Sequence, residues 1–292
     1  TFEIEKLNFK MTSRCSKLLL FLLFVSSSFL AKAQNDCPTW DWAFDMGLPS
    51  QVHLLESHGD TAGNMYVLGS FQGSFTIAGI TLTTADTSHF VAKYSKNQVW
   101  SWVVQFEAKL PGGFNNYQIP HDFYFDEGGF ITVTGIYTHT AIFGNDTLPE
   151  LYRSTFNTFV ARLNANTQQW MWAVNAESPM LVEPSSIAGD DNGNIFIAGV
   201  THIFPPSTQP VYFGTTTLSI TGDGSYVAKI DSSGTWVWAK DFDRGSHRPI
   251  IAIDNMQGPT VASSFVYPAI GQYKFGIVNE NNIYNYINTD WL

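Results

Sequence analysis

Seven histidines, at His53, His58, His89, His121, His139, His202 and His247, are the side chains best suited to metal binding or to proton transfer near neutral pH. They are scattered without the spacing of a metal-ligand motif. Asp190, Asn192 and Asn194 alternate around Gly193 in the manner of calcium-loop oxygen ligands, yet the distal Glu and the sixth-position Gly of such a loop are missing. The matching segments from Asp60 and from Asp126 lack the same ligands, which favours a turn at a strand entry. Paired carboxylates for glycoside cleavage must stand about 5 to 9.5 Å apart, a distance that chain spacing does not supply. No Gly-x-Ser-x-Gly elbow, His-Glu-x-x-His helix or phosphate-binding glycine loop is present. The sequence therefore assigns no catalytic, cofactor-binding or metal-binding residue and calls for no cofactor.

The elements that would carry any site are set by an internal repeat. A Trp-x-Trp pair recurs at Trp40 and Trp42, Trp100 and Trp102, Trp170 and Trp172, and Trp236 and Trp238. A segment opening with Asp and closing on a small residue recurs at 60–69 (DTAGNMYVLG), 126–135 (DEGGFITVTG), 190–199 (DDNGNIFIAG) and, degenerately, 254–263 (DNMQGPTVAS). Two further segments follow in the same order: FTIAGITL, AIFGNDTL, VYFGTTTL and a weak KFGIVNEN, then FVAKY, FVARL and YVAKI. The period is 64 to 66 residues, long enough for four strands.

Each segment has β chemistry, with aromatic and β-branched runs bounded by Asp, Asn and Gly turns and no sustained 3.6-residue apolar period. Period-two alternation predicts that both indoles of a Trp-x-Trp pair lie on one face of their strand, where they fill the space between neighbouring sheets. Exposed indoles could instead stack on sugar rings, but recurrence at one position per unit favours packing. Together these features predict an all-β fold, a β-propeller of four-stranded blades over 34–292, with three complete units and a partial fourth. The fourth unit stops at Asp290, Trp291 and Leu292, where earlier units continue into VAK, so the expectation is a ring whose closing blades lie beyond this sequence.

The segments DDNGNIFIAG, SYVAKIDSSGTWVWAK and HFVAKYSKNQVWSW resemble the bacterial β-propeller repeat called SBBP. The resemblance covers nearly all of 34–292 and implies an exported or surface-associated protein, in one large group a protein carrying a type IX sorting tag. It implies no activity. The fourth unit departs from the pattern where Gln257, Gly258 and Pro259 replace the Gly-Asn turn.

Arg14 and Lys17 precede an apolar run from Leu18, three serines and Ala31-Lys32-Ala33, the order of a secretory signal peptide. Residues 1–10 read as an upstream extension and 11–33 as the signal peptide, cleaved after Ala33. The apolar core is shorter than the roughly 20 residues of a membrane span. Removing 1–33 takes five basic and two acidic side chains from totals of 15 and 25, leaving a net charge of −13 that repels nucleic acid and anionic lipid. Cys15 lies in the signal segment, so Cys37 is left to pair with a cysteine beyond this sequence or to stay a free thiol.

The non-repeating stretches 110–120 (LPGGFNNYQIP) and 203–210 (IFPPSTQP) are the expected binding loops. The leading expectation is an exported scaffold that binds or adheres to a protein or glycan and has no chemistry of its own. The alternative is a secreted polysaccharide lyase or hydrolase on the same fold.

Overall fold

Turn chemistry starts each pair of strands. The Asp60 N–H donates to Asn64 O, the Gly63 N–H donates back to Asp60 O, and Asp60 Oδ1 accepts the Asn64 N–H at 2.7 Å. The same bonds recur at Asp126, Gly129 and Phe130 and at Asp190, Gly193 and Asn194. Gly63, Gly129 and Gly193 all hold positive φ, which explains the glycine in the motif.

The computed structural model describes residues 46–108, 118–149, 156–202, 208–221, 223–243, 248–253, 258–267, 270–277 and 287–288. The expected signal segment, Cys37, Trp40, Trp42, the fourth-unit turn and most of the two non-repeating stretches lie outside these residues. Every strand pairing among the described residues is antiparallel. Among them no helix is long and apolar enough to cross a membrane.

The first unit runs β1 (Val52–Gly59), β2 (Met65–Ile77), β3 (Ile80–Tyr94) and β4 (Trp100–Ala108), hydrogen-bonded in chain order. The second contains β5 (Gln118–Phe125), β6 (Phe130–Tyr137), β7 (Ala141–Phe143), β8 (Asp146–Leu148), β9 (Asn157–Asn164) and β10 (Gln169–Glu177). Here β5, β6, β9 and β10 repeat the four-strand order, and β7 with β8 forms a short hairpin. The third unit contains β11 (Leu181–Gly189), β12 (Ile195–His202), β13 (Thr208–Phe213), β14 (Thr216–Thr221), β15 (Gly224–Ile230) and β16 (Trp236–Asp243), with β13 and β14 as its hairpin. β17 (Ile250–Ile253), β18 (Pro259–Tyr267), β19 (Ile270–Ile277) and β20 (Ile287–Asn288) make a fourth sheet in the same order.

The hairpins are the FTIAGITL-type segments. In the first unit that segment stays joined to β2 and β3, whereas in the second and third it separates and pairs with the last strand of the preceding unit. Ile142 lies opposite Glu107, and Tyr212 opposite Glu177. Backbone pairing thus ties the first unit to the second and the second to the third.

Two of the other repeated segments explain each other. The glycine closing each Asp segment lies directly across from the aromatic of the FVAK-type strand: Gly69 with Phe90, Gly135 with Phe159, Gly199 with Tyr226. A bulge in the first strand brings a carbonyl against the same glycine, so a Cβ at Gly135 would lie 2.2 Å from Ile119 O and 2.8 Å from Phe159 Cε1. The aromatic ring occupies the space a side chain would need, and only glycine fits.

The tryptophans depart from the alternation expected of them. A bulge in the fourth strand places Trp170 opposite Leu163 and Trp172 opposite Arg162, which are adjacent residues facing opposite ways. The extra residue cancels the period of two, so the indoles face opposite sides of their sheet. Trp170 packs edge-on against Phe106 of the first unit and Phe143, while Trp172 donates from Nε1 to Ser232 O of the third unit. In the third unit Trp236 turns back and donates to Asn175 O, and Trp238 packs against the core shared with the fourth sheet. One pair therefore serves two interfaces.

The cores lie between sheets. Tyr66, Leu68, Trp102 and Phe106 share one with Phe123, Ile131, Tyr137 and Phe159; Val160 and Trp172 share the next with Ile195, Ile197 and Tyr226. Ala188, Phe196 and Val227 meet Ile251 and Val261 in a third.

Candidate functional site

The first strands of successive units, β1, β5, β11 and β17, pack against one another. Each of the first three carries a bulge at an equivalent place, at Leu55, His121 and Ser185. The bulge re-aims the side chains around it toward the next unit. His121 Nδ1 lies 2.7 Å from Pro184 O, and Ser185 Oγ donates to Pro249 O. The residue after each bulge accepts a backbone N–H of the next first strand: Asp122 Oδ2 from Ile187 at 2.9 Å, and Ser186 Oγ from Ile251 at 3.3 Å.

In the first unit that post-bulge residue is Glu56, and it meets Asp122 itself. His58, two residues on, projects beside Glu56, with Nε2 3.7 Å from Glu56 Oε1 and its ring edge-on to Phe123 at 4.6 Å. One ligating atom from each of Glu56, His58 and Asp122 lies within 4.8 Å of the others. His58 Nε2 is shielded from solvent and has no hydrogen-bond partner.

The electrostatics follow from crowding two carboxyl groups. Burial, then the hydrogen bond and charge of Glu56, push the Asp122 carboxyl up to about 7, although the N–H groups of Ile187 and Phe123 oppose this. For Glu56, burial favours the neutral form, but the neighbouring His58 and Asp122 outweigh it and hold the group below its usual range. The Glu56 carboxylate raises His58 against the burial of the ring. Near neutral pH Glu56 and Asp122 form a carboxyl pair that shares a proton beside an imidazole whose protonated form Glu56 favours.

The sequence singled out none of these three together. Their signal is visible once the units are aligned backwards from Asp60, Asp126 and Asp190, since Glu56, Asp122 and Ser186 each stand four residues earlier. The residues that the sequence did single out behave differently. Asp190 Oδ1 accepts the N–H groups of Asn192 and Asn194, and Oδ2 accepts the Asn194 amide at 2.7 Å, so the carboxylate is engaged inside its own turn. His89 is buried, with Nδ1 unpartnered and the ring stacked on Phe106. His53 is exposed, His202 lies 3.6 Å from Asp223, and His247 lies outside the described residues.

Among the described residues, two clefts lie at unit boundaries. One, of about 540 Å³, is lined by Leu148, Asn175, Glu177, Tyr212 and Trp236, and burial raises the Glu177 carboxyl. The other is closed by Arg162, which pairs with Asp126 at 2.6 Å and donates to Gly193 O at 2.7 Å. No family model and no curated protein matches this chain.

Proposed function

We propose that the chain forms consecutive blades of an exported β-propeller of the SBBP-like kind, and that it serves as a binding or adhesion scaffold for a protein or glycan without chemistry of its own. Four-stranded antiparallel sheets in chain order, first strands in mutual contact and cores between neighbouring sheets support the propeller. The signal-like segment at 11–33 supports export.

The observation that carries the binding role is the division of labour among residues. Those repeated in each unit, the Asp turns, the glycine and aromatic pairs and the tryptophans, are consumed in turns and packing. Others vary from unit to unit at the same boundaries: Tyr212 stands where the second unit has Ile142, and Asn175 where the first has Gln105, and both line a cleft beside the recurrent acid Glu177. Its volume falls in the range of small-ligand sites, and its few polar groups suit hydroxyl or amide recognition. The strongest carboxyl pair, Glu56 with Asp122, is in mutual contact, closer than the 5 to 9.5 Å of glycoside cleavage, and so lends no support to a polysaccharide hydrolase.

Incubation of the purified chain with immobilised polysaccharides and glycan arrays tests this. Saturable binding that leaves the glycan uncleaved, and that weakens in Tyr212→Ala or Glu177→Ala, is expected. New reducing ends or unsaturated products that vanish in Asp122→Asn would replace the scaffold with an enzyme.

A further inference from the structure

We propose that Glu56, His58 and Asp122 form a divalent-cation site, of the kind taken by Zn²⁺, that fastens the first strand of one unit to the first strand of the next. The donor set is one imidazole and two carboxylates, a combination suited to zinc and its neighbours. Three protein ligands leave a fourth position open to water or to a group from a bound partner.

The geometry is nearly assembled. Zinc bonds of 2.0–2.2 Å in a tetrahedron set ligand atoms about 3.4 Å apart; the three atoms here lie within 4.8 Å of one another, and His58 Nε2 is 3.7 Å from Glu56 Oε1. Small side-chain rotations close the remainder. Independently, His58 Nε2 is shielded from solvent and makes no hydrogen bond within normal reach, facing Glu56 Oε1 at ion-pair distance, while the ring packs edge-on against Phe123. A solvent-shielded imidazole nitrogen that faces carboxylate oxygen without a full hydrogen bond is placed as a metal ligand would be. Asp122 is likewise oriented by the N–H groups of Phe123 and Ile187, each of its oxygens keeping a lone pair.

The equivalent positions elsewhere serve as a built-in comparison. Asp122, Tyr124 and Ser186 at the next boundary, and Ser186, Ala188 and Ile250 at the one after, repeat the strand-to-strand bond but do not bring together two carboxylates and an imidazole. The ligating set is therefore an addition to the repeat at one boundary.

The test is Zn²⁺ binding by the full chain after chelator treatment, followed by calorimetry and by metal analysis of dialysed protein, with Co²⁺ substitution to read the ligand field by visible absorption. One ion per chain is expected, with affinity falling at least tenfold in His58→Ala and in Asp122→Asn, and with the Co²⁺ spectrum of the parent chain changing in His58→Gln. His58 is half exposed, so its variants keep the fold, which circular dichroism checks. Absence of stoichiometric uptake at micromolar Zn²⁺, or uptake unchanged in all three variants, overturns the proposal.

Discussion

Replacing Gly135 with Ala is the sharpest probe of how these sheets are built. The new Cβ would lie 2.2 Å from Ile119 O, 2.6 Å from Pro120 Cα and 2.8 Å from Phe159 Cε1. Ordinary contacts begin near 3.5 Å, so the β5 backbone must retreat from β6 by about 1 Å. It cannot do so freely, because Phe159 is fully buried and the bulge beside Pro120 directs neighbouring side chains into the next unit. Overpacking of this kind costs about 1–3 kcal/mol, and each weakened backbone hydrogen bond adds about 1 kcal/mol. Relief of glycine entropy returns roughly 0.5–1 kcal/mol.

The net expectation for Gly135→Ala is a loss of about 2–4 kcal/mol, or roughly 3–7 °C in Tm for a chain of this size. Gly59→Ala is the matched control, since its nearest non-neighbour atom is Asn64 O at 3.8 Å and its φ is not left-handed. Gly199→Ala, 2.3 Å from Glu183 O, follows Gly135, while Gly69→Ala meets its nearest carbonyl at 3.0 Å and depends on whether Phe90 yields. Urea and thermal melts of the four variants provide the measurement. A Gly135→Ala chain as stable as Gly59→Ala would refute the account of the glycine and aromatic pairs.

Burial pushes His89 down to about 4, so the unfolded chain takes up its proton first, and stability is lost as pH falls from about 6.5 toward 4. A difference of about 3 kcal/mol between pH 7 and pH 4 is expected in urea melts, and His89→Leu removes that part of the slope. Trp172→Ala loses the bond to Ser232 O and the packing over Gly234, and costs about 3–5 kcal/mol by the same melts; Trp172→Phe costs less. Arg162→Leu leaves Asp126 and Gly193 O unpaired at a buried boundary and costs about 3–5 kcal/mol, most of which the double variant with Asp126→Asn recovers if the charge pair is responsible.

The sequence alone determined the strands, because the forces that end and start them are local. Asp and Gly build the turns, aromatic and β-branched runs fill the strands between, and three of the four repeated segments follow one another as strands in chain order, while the FTIAGITL-type segment becomes a hairpin and the first strand of each unit carries no repeated motif. The closing glycines and the FVAK-type aromatics were visible as separate repeats, but their pairing, with a ring filling the missing side chain's place, needed the register. The tertiary structure decided whatever depended on a one-residue slip or on a neighbour some 65 residues away. Bulges at Met171 and its counterparts turned the two indoles of each pair to opposite faces, against the simple alternation. The bulge at Leu55 aimed Glu56 and His58 across a sheet boundary at Asp122, because sheets with apolar faces must stack and stacking sets distant first strands side by side.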